Sequence, residues 1–191
     1  MIDTIQSSLN GTASLLQRVA AEMAPAIAEV AERMIACLRG GGKIALCGNG
    51  GSASQAQHLA GELIGRFRRE RPAYAGLALT TDTAILTALG NDYGYEEVFR
   101  RQVEGLLRPG DLLIALSTSG NAENILRAVA EANQRGVVTV GFTGEGGGRL
   151  ADLADLCLRV PNPQTSTVQE AHLAIGHLLC ELVEAALTST A

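Results

Sequence analysis

The sequence predicts an α/β protein whose parallel β-sheet is covered by helices on both faces. From Lys43 onward, short apolar runs alternate with longer segments of helical periodicity. This alternation is typical of βα units, because two parallel strands need a crossover connection, usually a helix, between them. The apolar runs are continuous, as in strands that are buried on both faces. We therefore expect one domain over residues 1–191, built as a three-layer sandwich around five parallel strands.

The α/β core is predicted at residues 43–188. Its strands are predicted at Lys43–Cys47, Gly76–Leu79, Leu112–Leu116, Val137–Phe142 and Leu156–Val160. Helices are predicted over residues 53–68, 83–90, 94–107, 121–135, 148–154 and 167–188. Gly90, Pro109-Gly110 and Gly136 are the signals that end three of these helices.

Two further helices are expected before the first strand, within residues 1–40. The first would occupy residues 1 to about 22, and the second would begin at Pro25, because proline is favoured in the first turn of a helix and disfavoured inside one. The second helix would end at the three glycines 40–42. These helices have no strand partner, so we interpret them as a cap or an oligomer arm.

Charge and composition argue against several classes of protein. The net charge of −5 is opposite to the surplus of lysine and arginine that general nucleic-acid binding requires. The N-terminus does not resemble a signal peptide and no apolar run reaches membrane-spanning length, so we expect no membrane partner and a cytoplasmic location. The 4 cysteines are far apart in the sequence and are interpreted as reduced, buried thiols.

One basic cluster interrupts this acidic chain. It consists of Arg66, Arg68, Arg69 and Arg71, close to the predicted end of the helix 53–68. Cations complement the dipole at the C-terminal end of a helix, so the cluster is explained by a solvated helix end. The alternative interpretation is a local contact with an anion or with another subunit.

Two loops that follow predicted strands are typical of phosphate sites. Gly48-Asn49-Gly50-Gly51 follows the first strand, and Ser52 begins the next helix. Glycines let the backbone approach a ligand closely, and the N–H groups at a helix start attract anions. The hydroxyl-rich loop Ser117-Thr118-Ser119-Gly120 follows the third strand. Both loops are predicted at the carboxyl edge of the sheet, where open parallel sheets bind ligands.

Acid–base and metal-binding candidates lie on two predicted helices. His58 and Glu62 are four residues apart and share one helix face, and an imidazole with a carboxylate is compatible with zinc. Gln169 and His177 are separated by eight residues, or about 12 Å along a straight helix. Gln169 and His177 could bind one metal only if both side chains were fully extended towards it. Otherwise, either the helix bends at its start or the two residues act at different points of the site.

Six segments, in the same order along nearly the whole chain, form a distinctive set. They are Cys47 to Ala53, Gln57-His58 with Glu62, Gly90 to Tyr95, Ser117 to Asn121, Thr143-Gly144, and Val168 to Glu170 with His172 and His177. This set resembles the phosphoheptose isomerase family, which has the flavodoxin-like sugar-isomerase (SIS) fold. The resemblance implies an aldose–ketose isomerase that interconverts sedoheptulose 7-phosphate and D-glycero-D-manno-heptose 7-phosphate. The resemblance implies that this reaction is the first step towards ADP-heptose, which is used in lipopolysaccharide cores or in other heptose glycans.

The resemblance also implies a zinc ion in each subunit and a homotetramer with active sites at subunit junctions. The positions that match the family's zinc ligands are His58, Glu62, Gln169 and His177. The positions that match its substrate-binding residues are Asn49, Gly50, Gly51, Ser52, Glu62, Asn91, Asp92, Ser117, Thr118, Ser119 and Gln169. For the chemistry, we expect Glu62 to move the carbon-bound proton through an enediolate and His177 to exchange the protons on oxygen.

Three other functions are considered beside this one. The first is isomerisation of another phosphorylated sugar, and the second is a non-catalytic relative that binds the bacterial replication initiator. The third is an SIS domain that senses a sugar phosphate and is fused to a DNA-binding segment. The presence of both Glu62 and His177 weighs against the second. No role is assigned to Gln55, Ala122 and Gln164, where the chain departs from the family pattern.

Overall fold

A parallel sheet of five strands lies at the centre of the computed structural model, which describes residues 1–188. The strands are β1 Ile44–Gly48, β2 Gly76–Ala78, β3 Leu112–Leu116, β4 Val138–Thr143 and β5 Leu156–Arg159. They are arranged in the order β2-β1-β3-β4-β5, and every neighbouring pair is parallel. The predicted three-layer α/β fold with five parallel strands is confirmed.

Helices occupy both faces of this sheet. Within residues 1–188 they are α1 Ile2–Arg39, α2 Gly51–Ile64, α3 Thr83–Asp92, α4 Arg100–Leu106, α5 Glu123–Gln134, α6 Gly148–Leu153 and α7 Thr165–Thr188. The helix predicted at residues 94–107 is divided into a 3₁₀ turn at Tyr95–Glu97 and the shorter α4. The remaining helices of the α/β core lie where the sequence predicts them, with small shifts at their ends.

The prediction of two N-terminal helices was wrong, because α1 is a single helix of 38 residues with Pro25 inside it. A proline in a helix interior removes one main-chain hydrogen bond and costs about 3 kcal/mol. The buried stripe nevertheless continues across this position, with Val19, Met23 and Ile27 at intervals of four residues. This stripe packs into the main core and α1 contacts α7, so tertiary packing outweighs the local cost.

Alternate residues of the strands face two separate hydrophobic layers. Ile44 and Leu46 of β1 join the layer formed with α1, α2 and α7. Ala45 and Cys47 join the opposite layer, to which α4, α5 and α6 contribute. The helix that follows β1 and the helix that follows β3 therefore lie on opposite faces of the sheet.

The expectation that no apolar run reaches membrane-spanning length was wrong for helix α7, which is long and apolar enough to cross a membrane by length and composition alone. Its buried face, however, packs against α1 and α2 and includes His172 and Glu184. At Gly176 an added Cβ atom would lie only 2.6 Å from the side chain of Leu59 in α2. The absence of a side chain at Gly176 thus lets α7 approach α2 closely, and α7 is a core helix of this fold.

Candidate active site

The candidate site lies at the carboxyl edge of the sheet, around the point between β1 and β3 where the strand order reverses. The chain leaves β1 towards α2 on one face and leaves β3 towards α5 on the other. The two loops therefore separate and leave a crevice, which is the usual ligand site of open parallel sheets. The glycine-rich loop and the serine loop border this crevice, as the sequence predicts.

The glycines of the first loop are required by its geometry. Gly50 has a φ of 56°, in the left-handed region that favours glycine. A Cβ atom at Gly51 would lie 2.7 Å from the amide oxygen of Gln169. The amide nitrogen of Gln169 in turn donates to the buried hydroxyl of Ser52 at 3.3 Å. The start of α2 and the start of α7 are thus in direct contact, and this contact places Gln169 on the glycine-rich loop.

The side chain of Asn49 is held by two residues to which the sequence analysis assigned no role. Asn49 and the buried Asn124 donate to each other's amide oxygens, both at 2.9 Å. The hydroxyl of Tyr95 donates to the same oxygen of Asn49 at 3.0 Å. Tyr95 belongs to a segment that carries the family resemblance, whereas Asn124 is an amide near a helix start and gives no distinctive signal in the sequence.

The serine loop is supported by the glycine-rich segment that follows β4. A Cβ atom at Gly120 would overlap the carbonyl of Gly147, and one at Gly148 would lie 2.4 Å from the carbonyl of Ser119. The main-chain N–H of Gly144 donates to the carbonyl of Thr118 at 2.9 Å. The loop leads into α5, whose N-cap residue is Ala122 and accepts no hydrogen bond through its side chain. The first turn of α5 is therefore not capped by a side chain at this position.

Three predicted site residues meet between α2 and α7 of the same chain. The Nε2 atoms of His58 and His177 are 2.8 Å apart, and His58 Nε2 is 3.3 Å from a carboxylate oxygen of Glu62. One ligand atom from each of the three residues lies within 4.8 Å of the others. Two imidazole nitrogens and one carboxylate form a donor set that zinc takes in catalytic sites. This group could therefore hold a metal ion.

The other predicted site residues are placed apart from this group. Gln169 precedes His177 by two turns of α7, and its side-chain amide lies on Gly51 and Ser52. Asn91 and Asp92 lie at the end of α3 with exposed side chains, and Asn91 donates to Asp92 at 2.7 Å. Helix α3 packs on the layer opposite α2 and α7.

His172, which also belongs to a segment of the resemblance, is a structural residue. Its side chain is fully buried and its Nε2 atom donates to the main-chain carbonyl of Thr143 at 3.1 Å. Burial lowers the pKa of His172 to about 4, against a smaller opposing effect of this hydrogen bond. The imidazole is therefore neutral at physiological pH, and it connects α7 to the end of β4.

The fold and site define the chain as an SIS-domain protein, since residues 9–144 match the SIS domain family. A phosphoheptose isomerase from Rhodospirillum rubrum is 57% identical over 168 residues, which are 88% of this chain and 89% of the relative. Solved phosphoheptose isomerase structures from Neisseria gonorrhoeae and Francisella tularensis are each 39% identical and cover 96% of this chain, and 98% and 97% of their own chains. Their TM-scores are 0.91 and 0.92. This chain belongs to the phosphoheptose isomerase family.

Proposed function

We propose that the protein is a sugar-phosphate isomerase that interconverts sedoheptulose 7-phosphate and D-glycero-D-manno-heptose 7-phosphate. The observation that carries this proposal is the group of His58, Glu62 and His177 between α2 and α7, in a chain that is 57% identical to a phosphoheptose isomerase. The product is an aldose phosphate that leads to ADP-heptose and to the heptose of lipopolysaccharide cores. A cytoplasmic location is part of the proposal, because a reducing compartment keeps the four free cysteines reduced.

The substrate is proposed to bind across the two loops at the crevice. Ser117, Thr118 and Ser119 would bind the phosphate with their hydroxyl groups, and the first turn of α5 would add N–H groups and a favourable dipole. The geometry of this turn supports the idea, because Ala122 leaves it without a side-chain cap. Asn49, Gly50, Gly51 and Ser52 would bind the sugar hydroxyls, together with Gln169, Asn91 and Asp92.

Glu62 and His177 are proposed to carry the proton transfers. Isomerisation removes a proton from one carbon and returns a proton to its neighbour, through an enediolate whose two oxygens gain charge. Glu62 would accept the proton from the first carbon and return it to the neighbouring carbon. His177 would exchange protons with the two oxygens, and its Nε2 atom already lies within hydrogen-bond distance of a neighbouring imidazole.

Zinc is the proposed metal, held by His58, Glu62 and His177, whose nitrogen and oxygen donors suit it. Gln169, the fourth predicted ligand, lies on Ser52 two turns away in the single chain, so its amide oxygen would come from a neighbouring subunit at a subunit junction. When bound, zinc would polarise the substrate oxygens and stabilise their developing charge.

A homotetramer with active sites at subunit junctions is also proposed. An apolar groove of about 520 Å³ runs between α1 and α7, bordered by Leu16, Ile27, Leu178 and Leu182. Leu178 and Leu182 are 43% and 37% exposed in the single chain, so a second copy would bury them. Junction sites would also give Asn91 and Asp92 a place beside the crevice of a neighbouring subunit. We expect Leu178→Glu to reduce the mass measured by light scattering, and an unchanged tetramer mass would exclude this groove as the interface.

The central test is isomerase activity on sedoheptulose 7-phosphate, measured for metal-free and zinc-loaded protein. We expect turnover that rises with zinc, and no isomerisation by the Glu62→Gln variant, with an unchanged circular dichroism spectrum. Full activity of Glu62→Gln would rule out its assignment as the base. Turnover that is independent of zinc would support the isomerase activity but exclude the proposed zinc site. A folded native protein without turnover would favour another sugar phosphate as substrate.

A further inference from the structure

The basic segment between α2 and β2, residues 66–71, is arranged around one carboxylate of α7. Glu184 is 1% exposed and accepts hydrogen bonds from the main-chain N–H groups of Phe67, Arg68 and Arg69, at 3.0, 2.8 and 2.8 Å. Consecutive N–H groups that converge on one anion form a binding nest. Burial raises the pKa of Glu184, but these hydrogen bonds together with Arg71 hold it below its ordinary value, so the group is ionised.

Arg71 binds the same carboxylate and connects it to α2. Its Nε atom donates to Glu184 at 2.9 Å, and the two side chains are only 2% and 1% exposed. Two other donors of the guanidinium reach the carbonyls of Glu62 and Leu63, at 2.8 and 2.9 Å. These carbonyls belong to the last turn of α2. The buried ion pair therefore joins the end of α2 to α7, and these two helices carry the histidines and the carboxylate of the site.

The same segment places an aromatic ring on the candidate catalytic histidine. The rings of Phe67 and His177 are stacked, with centroids 5.4 Å apart and an angle of 24° between their planes. The guanidinium of Arg68 lies 5.2 Å from the Phe67 ring and pairs with Glu181 at 2.6 Å. Contact with Phe67 covers one face of the His177 imidazole and limits its rotation about χ2.

We propose that Glu184 and Arg71 are positioning residues, which hold residues 66–71 so that Phe67 fixes the imidazole of His177 towards α2. A buried ion pair adds little net stability compared with apolar residues of similar volume, because both charges lose their hydration. However, Glu184 accepts directional hydrogen bonds from four donors, and these hold residues 66–71 in one conformation. The inference rests on the proposed isomerase function, because it concerns the orientation of that enzyme's acid–base residue.

The test compares two variants with a matched control in the full chain. Phe67→Leu removes the stacked ring, and Glu184→Gln weakens the nest without touching the imidazole. Arg66→Gln is the control, because Arg66 lies in the same segment and forms an exposed pair with Glu70 at 3.6 Å. One measurement is the NMR spectrum of labelled histidine rings in metal-free protein, with the His177 signals identified from a His177→Gln spectrum. The second measurement is kcat and KM for sedoheptulose 7-phosphate.

We expect Phe67→Leu to move the His177 signals downfield, because the face of a stacked ring shields its neighbour. Glu184→Gln should move them in the same direction and lower kcat roughly tenfold, with KM changed less than about twofold, since displaced catalytic groups slow the chemical step. Arg66→Gln should leave the spectrum and both constants unchanged. Native signals and native kcat in a folded Glu184→Gln variant would overturn the proposal.

The proposal can still be tested if one variant or one assay fails. If Glu184→Gln does not fold, the Phe67→Leu variant serves as the test instead, and a native kcat in Phe67→Leu would overturn the proposal. If the native protein shows no isomerase turnover, the proposed function fails while the NMR comparison still tests the positioning. His177 signals that respond to Glu184→Gln would then support the positioning role, and unchanged signals would reject it.

Discussion

A fall in pH is expected to destabilise the protein through His172. In the unfolded chain a histidine has a pKa of about 6.5, whereas burial lowers the pKa of His172 in the folded protein to about 4. Between these values the unfolded chain binds a proton that the folded protein does not bind. The free energy of unfolding therefore loses the contribution of His172 as the pH falls from about 6.5 towards 4.

The size of this effect follows from the difference between the two pKa values. One pKa unit corresponds to about 1.4 kcal/mol, so the whole window is equivalent to about 3 kcal/mol, and about 2 kcal/mol of it is lost by pH 5. The variant His172→Gln cannot titrate, but its side-chain amide can still donate to the carbonyl of Thr143. We therefore expect the native protein to lose about 2 kcal/mol more than this variant between pH 8 and pH 5.

Urea unfolding at pH 8 and pH 5 measures this difference directly. Protein concentration and ionic strength are held constant, because subunit association and salt both change apparent stability. The other titrating groups are common to both proteins, so their contributions cancel in the comparison. Equal losses of unfolding free energy in the native protein and in His172→Gln would refute the assignment of His172 as a buried neutral imidazole.

Two further predictions concern the site and the thiols. Asn124→Ala removes one of the two hydrogen-bond partners of the Asn49 amide oxygen. We expect this change to raise KM, measured from initial rates, roughly tenfold. An unchanged KM would show that the Asn49–Asn124 pair does not contribute to substrate binding. Burial raises the pKa of Cys47 and of Cys180 to about 12, so neither thiol should react with a chromogenic disulfide reagent at pH 8 before unfolding. Rapid labelling of either cysteine in the folded protein would contradict the burial of these thiols.

The sequence alone determined the features that depend on local patterns. Continuous apolar runs located the five strands, most clearly the fully buried β1 and β3, because strands buried on both faces tolerate few polar residues. Glycines and hydroxyl residues after the first and third runs located the two loops of the crevice. Four residues separate His58 from Glu62, and this spacing brings them to one helix face in any α-helix.

Features that depend on distant packing were decided by the tertiary structure. Pro25 is a local signal for a helix start, yet the stripe that α1 buries against α7 keeps the helix continuous. His177 reaches the group on α2 within one chain because Gly176 brings α7 close to Leu59. Gln169, two turns earlier on the same helix, instead lies on the glycine-rich loop.

The arginine cluster shows most clearly the difference between what local sequence patterns specify and what tertiary packing decides. Its four positive charges are visible in the sequence, and both a solvated helix end and an anion contact were compatible with them. Only the fold brings Glu184, 113 residues after Arg71 in the chain, into the nest of N–H groups that the segment forms. Local patterns specify elements and loops because their periodicity lies within a few residues. The partners of buried charges are specified by how the elements pack, which no short window of sequence contains.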